Sequence, residues 1–150
     1  MAFTVHGKPA PQGSKVRNAH GALYESSKAV GPWREAVRAE TQRHVTTMMT
    51  GPADVRIAFL VQRPAGHYRT GRNAHLLRDG APGYPAGKPD IDKLARAVLD
   101  GLTEGGAWKD DSQVVTLALA KRYADPGEHT GCYIEIRDGG ADHEEPAVHS

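Results

Sequence analysis

The feature that most constrains this chain lies between Pro89 and Gly106. Leu94, Val98 and Leu102 recur every four residues, Ile91, Ala95 and Leu99 widen the same stripe, and Gly105-Gly106 ends it. This spacing predicts an amphipathic helix that opens at Pro89-Asp90 and runs to about Leu102. One apolar stripe has to be laid on a sheet or on another helix, and the rest of the chain offers both. Val55, Ile57, Phe59 and Val61 alternate with Asp54, Arg56 and Gln62, the pattern of a strand facing a core. Further strands are predicted at residues 2–5, from Ser112 to Lys121, and from Gly131 to Arg137, the last with Cys132, Ile134 and Ile136 on one face. A further helix runs from about Pro32 to Met49, with Pro32 in its first turn, Trp33, Val37 and Val45 near one stripe, and Gly51-Pro52 as its stop. There is no internal repeat and no regular βαβ alternation. The class is therefore α+β, a small mixed sheet with two main helices.

At 150 residues the chain makes one domain, or one domain with a tail. Its longest uninterrupted apolar stretch, Ile57 to Val61, is far short of the ~20 residues that cross a bilayer. The opening MAFTVHGKPA lacks the pattern of a secretory signal. The single cysteine, Cys132, excludes an intramolecular disulfide and a zinc ribbon. The expectation is a cytoplasmic protein that folds without metal and without a membrane.

A net charge of +1 hides an asymmetry. The last cation is Arg137, and beyond it stand Asp138, Asp142, Glu144 and Glu145, which leaves 14 acids against 19 Lys and Arg, about +5, over residues 1–137. Residues 1–137 are taken as the folded domain, and 138–150 as an acidic tail with the composition of a disordered segment. A basic body suits a phosphate backbone; a solvated surface of mixed sign is the plainer reading of charge alone.

Two segments lack a period. Gly7 to Asn18, with two prolines and three cations, reads as a loop; its Gly-Ser-Lys has the wrong order and spacing for a phosphate-binding P-loop. From Arg63 to Lys88, four arginines, Lys88, His67, His75, Tyr68 and Tyr84 are set among glycines and prolines. Such a segment is either a surface insertion or a place where cations hold a backbone and tyrosines stack on bases.

The acids carry the chemical signal. Asp90 and Asp92 flank the start of the second helix, and Asp110-Asp111 follow Trp108 just before a strand. If that strand packs beside the helix start, three or four carboxylates meet, and like charges so placed call for a cation. All-oxygen ligands select Mg²⁺ or Mn²⁺ over Zn²⁺. Each residue also has a plainer use. Asp90 is a ready N-cap, Asp92 gains from the helix dipole, Asp110-Asp111-Ser112 makes a polar turn, Trp108 fills a core, and Arg96 pairs with Asp92 or Asp100 at i, i+4. There is no HExxH, no Gly-x-Ser-x-Gly and no Gly-x-Gly-x-x-Gly, so a zinc hydrolase, a serine hydrolase and a nucleotide cofactor have no support.

Lys88-Pro-Asp-Ile-Asp92, then Leu94, Ala97-Val-Leu-Asp100-Gly-Leu102, Trp108-Lys-Asp-Asp-Ser-Gln-Val-Val115 and Lys121, resemble the RusA family of Holliday junction resolvases. The opening Phe3-x-Val5-x-Gly7-x-Pro9 and Trp33 resemble it too, so the likeness covers roughly residues 2–137. The resemblance implies a small α+β homodimer that binds branched DNA, four-way junctions above all, and nicks two strands symmetrically with Mg²⁺, or with Mn²⁺ in its place. A two-fold dimer suits a two-fold substrate. It further implies that Asp90, Asp92 and Asp111 are catalytic metal ligands with Asp110 beside them, and that Arg96 stands where the family has a catalytic lysine. Lys93 replaces the usual Asn. The expected mechanism is in-line attack of a metal-activated water on phosphorus, with Arg96 at the scissile phosphate. Lys15, Arg17, Arg69, Arg72, Lys88 and Lys93 are the candidate DNA contacts. The alternatives are a less selective flap or fork endonuclease, a junction-binding module that does not cut, and a structural protein that keeps the fold alone.

Overall fold

The computed structural model describes residues 1–13, 15–17, 23–25 and 28–140, without the side chains of 15–17 and 23–25. In chain order the elements are β1 (Ala2–His6), β2 (Lys15–Arg17), β3 (Leu23–Glu25), α1 (Val30–His44), β4 (Ala53–Val61), α2 (Ile91–Glu104), β5 (Val114–Tyr123) and β6 (Gly131–Asp138). The main sheet has the order β1-β6-β4-β5, and β2 and β3 form a separate two-stranded ribbon. Only β4 and β5 are parallel neighbours, from Asp54 opposite Thr116 to Val61 opposite Tyr123. Parallel neighbours need a long crossover, and here it carries the aperiodic segment, α2 and the Asp110-Asp111 turn. The α+β architecture with two helices and a mixed sheet agrees with the sequence.

One face of the sheet is covered. Phe3 and Val5 of β1, Val55, Ile57 and Phe59 of β4, and Cys132, Ile134 and Ile136 of β6 form one buried cluster with Trp33 and Val37 of α1 and Leu94, Val98 and Leu102 of α2. Burial pushes the Cys132 thiol up, as suits a small apolar core residue and not a nucleophile. The helices touch closely along Gly101, where an added Cβ would stand 2.8 Å from Cβ of Val37 and 3.0 Å from the Arg34 carbonyl. At the start of β6 only glycine fits: Gly131 has φ +148°, and a Cβ there would lie 2.0 Å from the Val5 carbonyl oxygen.

The structure moves several predicted boundaries. Lys15–Arg17 is a strand, not loop, because it pairs with Leu23–Glu25. α1 ends at His44 instead of near Met49: Val45 is already extended, and the Met49 N–H donates to the Ala107 carbonyl at 2.9 Å, which draws the chain across to Trp108. β5 starts two residues later than predicted, since Asp111–Gln113 form a 3₁₀ turn. Asp54 is not on the solvent face; it is buried at 2% exposure, with Oδ2 4.0 Å from Arg56 Nη2 and Oδ1 without a partner. β6 runs to Asp138, one residue past Arg137, and the Gly139 N–H donates to the Pro52 carbonyl at 2.8 Å. Residues 141–150 of the acidic tail lie outside the described residues. No helix of the described residues is long and apolar enough to cross a membrane.

Candidate active site

The start of α2 is built by two long-range ties. Lys121 on β5 faces inward opposite Phe59, and its Nζ donates to the carbonyls of Gly87 and Pro89 at 2.8 Å each. That clamp sets the chain just before Asp90. On the other side, the Gln12 N–H donates to the Lys93 carbonyl at 3.0 Å. Asp90 occupies the N-cap position but makes no capping hydrogen bond with its side chain; its carbonyl takes up the helix by accepting from the Leu94 N–H at 3.0 Å. The carboxylate instead stands 3.5 Å from Lys88 Nζ. Asp92, one residue into the helix, is exposed and has no hydrogen bond or ion pair among the described residues. Neither carboxylate is spent on the backbone.

The second acidic pair divides its labour. Asp110 caps the turn: it accepts from the Ser112 N–H at 2.9 Å, and the Asp110 N–H donates to Gln113 Oε1 at 3.3 Å, closing a capping box. The Ser112 N–H bond is also the chief reason the Asp110 carboxyl sits below its ordinary range. The polar-turn reading therefore describes Asp110. Gln113 Nε2 donates to the carbonyls of Met49 and Gly51, both at 3.0 Å, and fixes the turn to the link between α1 and β4. Asp111, held by that turn, accepts from Arg96 Nη1 at 3.3 Å. Arg96 thus pairs across to the turn, not along its own helix to Asp92 or Asp100.

Asp92, Arg96 and Asp100 are spaced four apart and share one face of α2, with Asp111 alongside. Burial raises the half-buried Asp100 carboxyl, opposed by the charges of Arg96 and Arg34 and reinforced by Asp111 and Glu104. A cleft of about 270 Å³ lined by Asp100, Glu104, Lys109, Asp110 and Asp111 opens at this end. Trp108 is core: it is fully buried, and Nε1 donates to Thr103 Oγ1 at 2.8 Å.

Among the described residues no three His, Cys, Asp or Glu side chains are gathered as they stand to hold a metal ion. The carboxylates do not converge at the helix start as the spacing suggested; Asp111 pairs with Arg96 instead. The donor set still fits a hard divalent cation: Asp90 and Asp92 are free of capping duty, and the ion pair of Asp111 with Arg96 joins side chains 32% and 59% exposed.

The basic candidates fare unevenly. Lys88 and Arg72 are exposed, and Lys93 is half-buried. Arg69 closes its own loop, donating to the Leu77 carbonyl and to Asp79 Oδ1, both at 3.2 Å. The side chains of Lys15 and Arg17 lie outside the described residues. Sequence reasoning gave no role to Gln113 or to Lys121, whose positioning bonds span 64 and 34 residues; their place among the residues that carry the family resemblance was the available signal.

The chain is similar to known proteins over most of its length. A family model described as Endodeoxyribonuclease RusA matches residues 6–137. The uncharacterized protein YqaN of Bacillus subtilis (strain 168) is 28% identical over 128 residues, 83% of this chain and 89% of that protein.

Proposed function

The chain belongs to the RusA family of endodeoxyribonucleases, and from that premise we propose that it is a cytoplasmic, Mg²⁺-dependent, structure-selective endonuclease that resolves four-way DNA junctions as a homodimer. The observation that carries this reading is the face of α2 on which Asp92 and Arg96 stand one turn apart, with Asp90 at the helix start and Asp111 at 3.3 Å from Arg96. Asp90, Asp92 and Asp111 are the residues that would hold the cation, with Asp110 beside them. When bound, a divalent cation supplies Lewis acidity, which favours ionisation of the attacking water and offsets charge developing on the phosphate.

The chain's own side chains do the rest. Lys88, Lys93 and Arg72 attract and grip backbone phosphates. Arg96 exchanges the Asp111 carboxylate for the scissile phosphate, where its planar fork matches two non-bridging oxygens. That exchange releases Asp111, so substrate binding and completion of the acidic set are one event. The product expected from the family likeness is a nick with 5′-phosphate and 3′-hydroxyl ends, made in two strands at symmetric positions.

One observation favours a second reading, a module that binds junctions and does not cut: with Arg96 on Asp111, three carboxylates are not gathered among the described residues. Cleavage of a labelled synthetic four-way junction, with and without Mg²⁺, by wild type and Asp92→Asn separates the two. Paired Mg²⁺-dependent nicks that fall at least about a hundredfold in Asp92→Asn, ~2.7 kcal/mol on the barrier, with junction binding kept, are expected. Tight binding without cutting in Mg²⁺ or Mn²⁺ would overturn the enzyme reading. Faster cutting of flaps or linear duplex than of the junction would transfer the activity to a less selective nuclease.

A further inference from the structure

Beside the start of α2, on the side away from Asp111, lies a cleft of about 630 Å³ between the ends of β4 and β5 and the chain that leads into Asp90. Pro9, Pro89 and Tyr123 give it flat apolar walls, and Lys8, Arg63 and Lys88 stand on it; no Asp or Glu among the described residues lines it. Apolar walls with a few placed cations and no acid suit a ligand with a flat ring and a negative charge, and the volume is that of a small-molecule site, too small for a duplex.

Its floor is rigidly built. Arg63 Cζ lies over the Tyr123 ring, 4.2 Å from the centroid. Arg63 Nη1 donates to the Pro82 carbonyl at 2.6 Å, and the His67 ring meets Tyr123 edge-on at 5.6 Å. A guanidinium and a phenol ring held in place are the two surfaces on which unpaired bases stack. Lys88 joins this cleft to the acids, since it lines the cleft and its Nζ is 3.5 Å from Asp90 Oδ2.

We propose that this cleft receives one unstacked nucleotide of the bound strand, its base against the Arg63–Tyr123 pair and its phosphate between Lys8 and Lys88, and so selects the base beside the cut. The inference rests on the DNA-endonuclease reading above. It assigns specificity to a surface that holds none of the proposed metal ligands, and it gives the two ends of the long segment from Arg63 to Lys88 a place in the pocket's lining.

The test uses the full chain and four-way junctions bearing 5-iododeoxyuridine at single positions on either side of the cut, irradiated without divalent metal so that the strands stay whole. Cross-linking confined to one position and mapped to Tyr123 or to residues 63–67 is expected, kept in Tyr123→Phe and lost in Tyr123→Leu. In Mg²⁺, cutting of junctions randomised around the nick should show a modest preference of about fivefold at that same position, the kind that differences in stacking strength give. That preference should fall within about twofold in both Tyr123→Leu and Arg63→Gln. Cross-links elsewhere, or a preference unmoved by both variants, would overturn the pocket while leaving junction cutting intact. A chain that binds no junction at all would remove the endonuclease reading and the pocket's ligand together.

Discussion

In the proposed mechanism a single arginine decides between two states of the acidic face. Arg96 holds Asp111 at 3.3 Å through side chains that are both solvent-accessible, and such pairs contribute only about 0–1 kcal/mol. A phosphodiester, whose single negative charge is spread over two non-bridging oxygens, offers a guanidinium the same two-point geometry as a carboxylate, so a weak surface pair yields to it readily. Arg96→Gln is therefore expected to leave the melting temperature nearly unchanged and to slow single-turnover cutting by about 10²-fold, the loss of one donor to a developing oxyanion. Arg96→Lys keeps the charge without the fork and should fall between the two. A large drop in melting temperature with normal cutting would make Arg96 merely structural. A different residue answers to pH. The two-point bond from Arg122, at 2.8 Å to each oxygen, together with the Asp125 N–H, brings the Glu128 carboxyl down from 4.5 to about 2. Its folded value lies below the unfolded one, so its contribution is present above about 4.5 and is lost as pH falls from there through about 2. The carboxyl-carbon NMR titration of Glu128 should have its midpoint near 2 and move back toward 4.5 in Arg122→Gln.

At the scale of elements, what the sequence displays is whatever has a period. α2 was legible because six apolar residues fall on one stripe, and β4 because its inward residues alternate; both patterns report contacts that every residue of the element shares. The ribbon of β2 and β3 was hidden, since three residues on each side are too few to show alternation among prolines and glycines. The end of α1 was missed because it is set by a distant partner, the bridge from Met49 to Trp108. The site divides in the same way. The spacing of Asp90, Asp92 and Asp111 could be read, whereas the ties from Gln113 to Met49 and from Lys121 to Gly87 belong to tertiary structure alone. Buried Asp54 misled because an acid in an alternating strand ordinarily marks the wet face. The seam between α1 and α2 also makes a prediction about stability. A methyl at Gly101 would meet Val37 at 2.8 Å and the Arg34 carbonyl at 3.0 Å, and backbone does not yield as a side-chain tip does. Gly101→Ala should cost about 1–3 kcal/mol in urea unfolding despite alanine's better helix propensity, because overpacking outweighs about 1 kcal/mol of propensity. A gain in stability would mean that the helices are free to separate.

For the molecule as a whole, the affinity for DNA that the proposed function requires would be set by charge that the average conceals. All 19 Lys and Arg lie at or before Arg137, while Asp138, Asp142, Glu144 and Glu145 follow it. The acids past Gly140 follow, in sequence, a body proposed to bind a polyanion, and either they compete with DNA for its cations or they are a passive, solubilising extension. Screening separates the two. At 0.1 M salt the Debye length is about 10 Å, so three charges not seated on the basic surface alter binding little. A chain ended after Gly140 keeps β6 and the Gly139–Pro52 bond and should therefore fold as the full chain does. Its affinity for a four-way junction, read by fluorescence anisotropy across KCl concentrations, should exceed that of the full chain by less than about threefold at 0.1 M and converge with it at higher salt. Both chains should lose affinity with a log–log slope of about −4, the release of counterions from four or five phosphates. A gain beyond about tenfold at low salt that vanishes at high salt would mean that the acids occupy the DNA site in the free protein. Ending the chain at Arg137 makes the necessary contrast: it also removes Asp138 from its register opposite Ala53 and breaks the Gly139–Pro52 bond. That shorter chain should unfold at lower denaturant, and its binding then reports lost structure at the sheet's end, not the removal of charge.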